Sequence, residues 1–555
     1  MKKQKALTKN EVKIIPLGGL GAVGKNMTLF EYGNDIIIVD CGIMFPGDDT
    51  PGVDFLIPDF SYLKKNSKRI RAIIITHGHE DHIGAIPYLL REIQAPIYGT
   101  RLTLGLIQSR ISEHPGTEQP EFIEVHPRDV ITVGGFTIEC IGVNHSIIGG
   151  VGLAITTDIG TIIHTGDFKI DFSPVDGDVI DLYRFADYGE RGVLLLMSDS
   201  TNAEKSGFTM SESMLIDRLI DMFSSAKGRI IVATFASNIH RIQQVLDVAQ
   251  RFNRKVVISG LSMLKNVEIS QSLGYLSVKD DLIVDINEAS KLPDKKLVII
   301  GTGTQGEPMS ALSRMALGTH RHFSAKTGDT VLITASVIPG NERMVTRIVN
   351  SLMALGADVY YDRDEAIHVS GHGSAKELKL MLSITKPKFF MPVHGEFKHL
   401  KAHARIAESL GIKASRIIIA ENGDILELSK KDFLKTDALE LAHIYVDGNE
   451  TGNTENRMIT DRQVMASEGI VIINALISKK ELVKEPVVTV RGLLSNDNTR
   501  PIEIIKKDVN KRIKKYLQKG LSAAEIETAL EGGLNNLLYR TTRRNSLVVV
   551  KIFEV

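Results

Sequence analysis

Six residues constrain this chain more than any others. His77-Gly78-His79-Glu80-Asp81-His82 follows directly on the apolar run "AIIIT" and precedes "IGAIPYLLREI", whose apolar residues recur at helical spacing. The cluster therefore occupies a strand-to-helix loop. Alternate residues His77 and His79 point the same way from an extended segment, whereas Asp81 and His82, in the first helical turn, face a second point nearby. One loop thus offers imidazole and carboxylate ligands to two cations, a donor set suited to zinc or manganese. It does not complete two coordination shells. Three further candidates stand at the ends of strand-like runs: His145 after "IECIGVN", Asp167 after "TIIHTG" and His394 after "KFFMPV". Asp40, after "DIIIV", is read as the carboxylate that orients a ligand histidine. Taken singly, each of these is equally readable as a structural residue; their shared context makes them a set.

The rest of the chain supplies the frame for such a loop. Its 555 residues exceed one ordinary core, and 43% hydrophobic with 24% charged content is that of a folded, soluble, multidomain protein. A formal net charge of zero gives no global sign of a nucleic-acid partner. Cys41 and Cys140 lie in apolar strand contexts and read as buried thiols, compatible with a reducing cytoplasm. The start "MKKQKALTKNEV" lacks an apolar signal core, and no apolar run approaches membrane-spanning length, so a cytoplasmic protein without a membrane partner is expected. Up to about residue 200, β-branched runs such as "VKIIP", "MTLFEY" and "FTIECIG" predict strands. Beyond about residue 210, "RIIVATF", "KVVISG", "LVIIGTG" and "DTVLITA" alternate with amphipathic helices, which predicts a parallel βαβ layer. The stretch 428–455 reads as a connector, and Glu455–Val555, with 18 basic and 12 acidic residues, as a separate α/β segment. There, "IIKKDVNKRIKKYLQKG" (504–520) aligns Ile504, Ile505, Val509, Ile513, Tyr516 and Leu517 as the apolar side of a helix. Its lysines are read as a solvated face, with an RNA-backbone or subunit contact as the alternative.

"GGLGAVGKN" (Gly18–Asn26) contains both a G-x-G-x-x-G and a near-match to a phosphate loop. Both motifs need a helix straight after the glycines, whereas strand patterns follow here and the Ser or Thr after the lysine is replaced by Asn26. It is read as a Gly-rich strand connection. His114, His126, His240, His320, His322, His399 and His403 lack a ligand context and are read as structural.

Asp40, His77-x-His79-x-Asp81-His82, His145 and Asp167 together resemble the metallo-β-lactamase superfamily. "MSDSTNAE", "ATFASNIHR", "GTGTQGEP", "VSGHGS" and "FFMPVHGE", in that order, resemble bacterial ribonuclease J, a β-CASP nuclease family, and the likeness runs from about residue 12 to the carboxyl terminus. It implies an α/β fold: a metallo-β-lactamase αββα sandwich (1–211 and 373–435) carrying an inserted β-CASP parallel α/β domain (212–372), then a linker (436–454) and a small C-terminal α/β domain (455–555). It implies two Zn2+ per subunit, with Mn2+ or Mg2+ as possible activating ions. His77, His79 and His145 would hold one, Asp81, His82 and His394 the other, and Asp167 would bridge them. By the family spacing Asp81 is the ligand and Glu80 points away. Asp199 and His372 match characteristic β-CASP motifs and, with Asp81 and Asp167, form the implied catalytic set; His372 would protonate the leaving group or hold the scissile phosphate. Ser237, Asn238, Ser370, Gly371, His372, Gly373 and Ser374 would form a pocket for a 5′-monophosphate. The implied activity is hydrolysis of single-stranded RNA, 5′-to-3′ with a 5′-monophosphate preference plus endonuclease action, in RNA maturation and decay. Assembly as a homodimer or tetramer, or with a paralogue, goes with it.

The bare chemistry agrees. Two cations clamp the attacking and leaving oxygens of an in-line displacement, and a Gly- and Ser-rich "SGHGS" lets backbone and hydroxyl donors approach an anion. Its alternative reading is a plain turn with Ser374 as helix N-cap. Two rival functions stand beside the nuclease. A small-molecule hydrolase of the same superfamily has no use for an insertion of this kind, and a weakly active partner subunit fits poorly with seven filled ligand positions. The chain departs from the family after His145-Ser146, where Ile147-Ile148-Gly149-Gly150 replaces the usual turn, and in "DGNETGNTENRMITDRQ" and "TVRGLLSND".

Overall fold

The computed structural model describes residues 10–47, 50–305, 307, 309–335, 337, 341–361, 367–448, 450–452, 457–478, 481–493 and 500–555. Gly306 and Pro308 of "GTGTQGEP", and parts of the two divergent stretches, lie outside them. The chain forms two units, one from Met1–Phe45 with Leu56–His443, the other from Pro46–Phe55 with Ile444–Val555.

In the first unit, strands Glu11–Gly18, Met27–Tyr32, Asp35–Val39, Ile70–Ile74, Ile97–Gly99 and Phe122–Glu124 join Asp424–Ser429 and Phe433–Ala438 in one mixed sheet. A second sheet runs Phe389–Val393, Val193–Asp199, Gly160–His164, Val151–Thr157, Phe136–Gly142, Val130–Val133. Period two explains how the sheets face each other. Ile37, Val39, Ile74 and Phe30 of the first sheet share one buried cluster with Ile138, Leu153, Ile162 and Met391 of the second. Their alternates Ile36, Ile38 and Ile73 are equally buried on the opposite face, which is why these strands read as unbroken apolar runs. Helix Arg101–Ser112 lies against the first sheet's edge. Helices Leu182–Arg191, Ala375–Thr385 and Phe397–Ser409 pack with Phe168, Leu196 and Phe390 on the second. Helix, sheet, sheet, helix is the layering expected from the resemblance.

Between the adjacent parallel strands Val193–Asp199 and Phe389–Val393 the chain makes a long excursion. It contains Lys255–Ser259, Leu297–Gly301, Ile230–Ala233, Thr330–Ile333 and Asp358–Tyr360, adjacent in that order and parallel throughout. The stretch read as a connector carries strands Ile444–Asp447 and Glu450–Gly452. In the second unit, Ile470–Ser478 pairs antiparallel with Val487–Arg491 and parallel with Leu547–Glu554. Helix Arg500–Gln518 buries Ile505, Val509, Ile513 and Leu517 against that sheet's Val471 and Ile473. Ile504, expected on the apolar side, is 42% exposed because it lies off the i, i+4 row that the other four define. Among the described residues no helix is long and apolar enough to cross a membrane.

Strand direction places the chemistry. Asp35–Val39 and Ile70–Ile74 are parallel, and Gly160–His164, Val193–Asp199 and Phe389–Val393 are parallel. Phe136–Gly142 runs the same way as the latter three, through two antiparallel steps. Asp40, His77, His145, Asp167, Asp199 and His394 therefore all follow, or end, strands of the two sheets, and their side chains gather at the carboxyl ends of those strands, along one edge of the sandwich.

Candidate metal centre

At that edge the seven sequence candidates converge as two adjacent sets. His77, His79 and His145 form one group of potential metal ligands; Asp81, His82, Asp167 and His394 form another. In the first, His77 Nε2 and His145 Nε2 stand 3.0 and 3.1 Å from His79 Nδ1. Around a tetrahedral zinc with bonds of about 2.0–2.1 Å, ligand nitrogens lie about 3.4 Å apart, so a slight expansion of this set accepts the ion. In the second, Asp81 Oδ2 is 3.3 Å from His394 Nε2 and 3.6 Å from His82 Nε2. Asp167 Oδ2 is common to both: it lies 3.2 Å from His82 Nε2, 3.4 Å from His394 Nε2, 3.7 Å from His77 Nε2 and 3.9 Å from His145 Nε2.

The outward nitrogens explain why the inward ones face the centre. His82 Nδ1 donates to Asp40 Oδ2 at 2.8 Å, and His145 Nδ1 donates to the Gly371 carbonyl at 2.7 Å. His77 Nδ1 lies 3.0 Å from Thr76 Oγ1, which in turn donates to Asp40 Oδ2 at 2.9 Å. His394 Nδ1 is 2.6 Å from Thr201 Oγ1. Each contact turns Nε2 inward and, in the neutral imidazole, fixes the tautomer whose lone pair lies on Nε2. The donor chemistry fits metal binding, and the Asp40 carboxylate meets the outward nitrogen of His82. Glu80 turns away: it is 3.1 Å from Arg110 Nη2.

Electrostatics divide the side chains. Burial, reinforced by His82, holds the His77 imidazole well below its usual range. Burial with His79 and His372 does the same to His145, and burial lowers His79 to about 4. For His394, burial is overridden by the Asp167, Asp81 and Asp199 carboxylates, which raise it to about 9. His82 is likewise raised, against burial, by Asp167, Asp81 and Asp40. Asp81 and Asp167 titrate below the ordinary carboxylate range, because the imidazoles outweigh burial.

His372 joins the same centre through Asp199. Its Nδ1 donates to Asp199 Oδ2 at 2.8 Å, and that carboxyl is held below its usual range by the imidazole against the opposing effect of burial. Ser370 Oγ accepts from Asn202 Nδ2 at 2.8 Å and from His372 N at 3.2 Å, so its own O–H is left to donate. Gly371 must be glycine: a Cβ there would lie 2.7 Å from His145 Nδ1. Gly373 N–H is spent on Phe168 O at 2.7 Å, and Ser374 is the N-cap of helix Ala375–Thr385, in a capping box with Glu377. Asn238 caps helix Ile239–Arg251 by accepting from Arg241 N at 3.0 Å. Among the described residues no hydrogen bond joins Ser237 or Asn238 to the 370–374 loop.

Several residues at the centre escaped sequence reading. Asn26 Nδ2 donates to Asp81 Oδ2 at 3.2 Å and lies 3.1 Å from His82 Nε2. Its stretch lacks the helix that a phosphate loop needs, and strand Met27–Tyr32 follows. Thr76, Thr201 and the buried His164, which lines the small cavity behind Asp40 and His82, complete the surround. The signal available for the threonines was their place beside His77 and Asp199 in the sequence.

Family models match residues 20–204 (metallo-beta-lactamase superfamily), 227–352 (ribonuclease J, beta-CASP domain), 356–416 (Zn-dependent metallo-hydrolase RNA specificity domain) and 457–555 (ribonuclease J C-terminal domain). The chain is 42% identical to ribonuclease J of Thermus thermophilus over 94% of its own length and 96% of the relative's. The chain belongs to the ribonuclease J family. It is 40% identical to ribonuclease J 1 of Streptococcus pyogenes over 98% of each, and 36% to ribonuclease J2 of Bacillus subtilis over 98% and 99%. A crystal structure of a protein of unknown function from Enterococcus faecalis superposes with a TM-score of 0.54 at 15% identity, covering 75% of this chain and all of that one, which is a likeness of fold. The chain is accordingly a ribonuclease J family nuclease with a metallo-β-lactamase domain, a β-CASP insert and a C-terminal domain, and its domains are those of RNA-directed metallo-hydrolases.

Proposed function

We propose that the chain hydrolyses RNA phosphodiesters with two metal ions, zinc in the first instance. It would act 5′-to-3′ with preference for a 5′-monophosphate, with endonuclease action beside it, in cytoplasmic RNA maturation and decay. The observation that carries this reading is Asp167 Oδ2, one carboxylate oxygen within 3.9 Å of four inward imidazole nitrogens drawn from both ligand sets. His77, His79 and His145 would hold one ion, Asp81, His82 and His394 the other, with Asp167 shared. Bound cations there would supply Lewis-acid polarisation of the phosphoryl oxygens and an activated water at neutral pH.

The remaining steps fall to the chain itself. Asp40 holds His82, and through Thr76 also His77, in the ligating tautomer. Asp199 holds the Nδ1 proton of His372, so that Nε2 is the atom that meets the scissile phosphate or gives a proton to the leaving oxygen. The Ser370 hydroxyl and the Gly371 N–H are the donors for the 5′-phosphate, while Gly373 and Ser374 hold the loop in shape. Ser237 and Asn238 complete the pocket once RNA is bound.

A digest of 5′-labelled monophosphorylated RNA, with and without chelator, tests the reading. Chelator-sensitive release of mononucleotides, faster than from 5′-triphosphorylated RNA, is expected. Equal rates on the two 5′ ends overturn the end preference, and chelator-resistant cleavage overturns the metal mechanism. Light scattering tests assembly as a homodimer or tetramer.

A further inference from the structure

Glu377 is fully buried, and three backbone N–H groups from three separate segments converge on its carboxylate. Oε1 accepts from Ile170 N at 2.7 Å; Oε2 accepts from Thr209 N at 2.6 Å and from Ser374 N at 2.7 Å. A capping box explains the Ser374 contact alone. Ile170 and Thr209 lie 207 and 168 residues away in sequence, and helix capping requires neither.

Each bonded segment carries or contacts a part of the centre. Ile170 stands three residues beyond Asp167, in a stretch whose Lys169 N–H donates to the Asn144 carbonyl next to His145. Thr209 donates its hydroxyl to the His372 carbonyl at 2.8 Å. Ser374 closes the Ser370–Ser374 loop. We propose that Glu377 is a positioning residue that fixes the phosphate-seat loop in register with the shared carboxylate Asp167. It touches no substrate itself. This inference rests on the function proposed above. RNA gripped at seat and metals together needs both at a fixed separation, whereas a small diester needs the metal centre alone.

The physical consequence of substitution follows from acceptor counting. Glutamine keeps the shape but replaces one oxygen with an NH2 group, which meets a backbone donor head-on and leaves at least one buried N–H without an acceptor. Aspartate keeps the charge but falls one methylene short of holding both Ile170 and Thr209.

The test compares wild type, Glu377→Gln and Glu377→Asp on 5′-monophosphorylated RNA and on bis(p-nitrophenyl) phosphate, with zinc content and hydrogen exchange measured on the full-length chain. The expected result is that kcat/KM on RNA falls at least about tenfold more than on the small diester, with KM for RNA raised. Faster exchange is expected in peptides covering 168–174, 205–211 and 370–376. Parallel loss on both substrates with a lowered Tm makes Glu377 a stability residue and overturns the proposal. Unchanged RNA kinetics in either folded variant overturns it too, and Glu377→Asp answers where Glu377→Gln fails to fold. A wild type that hydrolyses the small diester but not RNA refutes the proposed function instead, while the exchange data still judge the clamp.

Discussion

Uptake of metal should expel protons from one half of the centre and not from the other. In chelated protein at pH 7 the lowered pKa values leave His77, His79 and His145 neutral, whereas His394, raised to about 9, and His82, raised well above an ordinary imidazole, each hold a proton. A cation entering the Asp81–His82–His394 set must displace both. The sign follows: protons compete with the metal there, so affinity climbs as pH rises and levels off near the raised pKa values. Each displaced proton is worth tenfold per pH unit, about 1.4 kcal/mol. The His394 proton alone, between about pH 6.5 and 8.5, gives roughly 10²-fold, or about 3 kcal/mol, and the His82 proton adds to it in the same direction. The three-histidine set, neutral throughout that window, stays flat. Titration calorimetry of the chelated protein with zinc, in two buffers of different ionisation enthalpy, counts the protons, and competition against a chelator at several pH values gives the two slopes. Equal slopes for the two ions, or no proton release at pH 7, would refute this division.

Further substitutions separate ligand from neighbour. Asp81→Asn should cost about 10²-fold or more in kcat on RNA, whereas Glu80→Gln, which loses only its contact with Arg110, should stay within about threefold; steady-state kinetics of the pair decide between them. Asp40→Asn, unable to accept from His82 Nδ1 and Thr76 together in the same way, should weaken zinc binding about 10–100-fold at unchanged secondary structure, read by chelator competition and circular dichroism. Ile513→Ala removes a fully buried side chain from the second unit and should destabilise that unit by about 2–5 kcal/mol, seen as an early calorimetric transition.

Much of this molecule is legible in sequence because strands buried on both faces advertise themselves. "IIIV" (36–39) and "AIII" (72–75) are apolar throughout, since Ile36 and Ile37 bury opposite faces of the same sheet. The His77–His82 loop was legible for a second reason: four ligands fall within one local spacing. Ser374 was harder, because "SGHGS" before a helix fits an anion seat and an N-cap equally, and the residue proves to be engaged as the cap. Asn26 was invisible. Its stretch matched a phosphate loop in letters, and its actual contacts, to Asp81 and His82 more than fifty residues on, depend on which strands pair.

Long-range convergence is where sequence reasoning meets its physical limit, and the backbone marks the places. Asp40 and His394 both adopt left-handed conformations, with φ of 62° and 56°, which non-glycine residues rarely take. Each immediately follows the last residue of a strand, Val39 or Val393. An extended conformation would continue the strand; the left-handed turn stops it and redirects the carboxylate or imidazole toward the centre. Such strain is held in place by several bonds at once: Asp40 accepts from Thr76 N, Thr76 Oγ1 and His82 Nδ1, and His394 is held between Thr201 and Asp81. Gly42 completes the geometry, because a Cβ there would fall 1.6 Å from the Asp81 carbonyl oxygen. The strand Asp35–Val39 can therefore pass beside the ligand loop only with glycine two residues after Asp40. A sequence records the residues of this arrangement, but the requirement that binds them becomes apparent only when two sheets place their strand ends together.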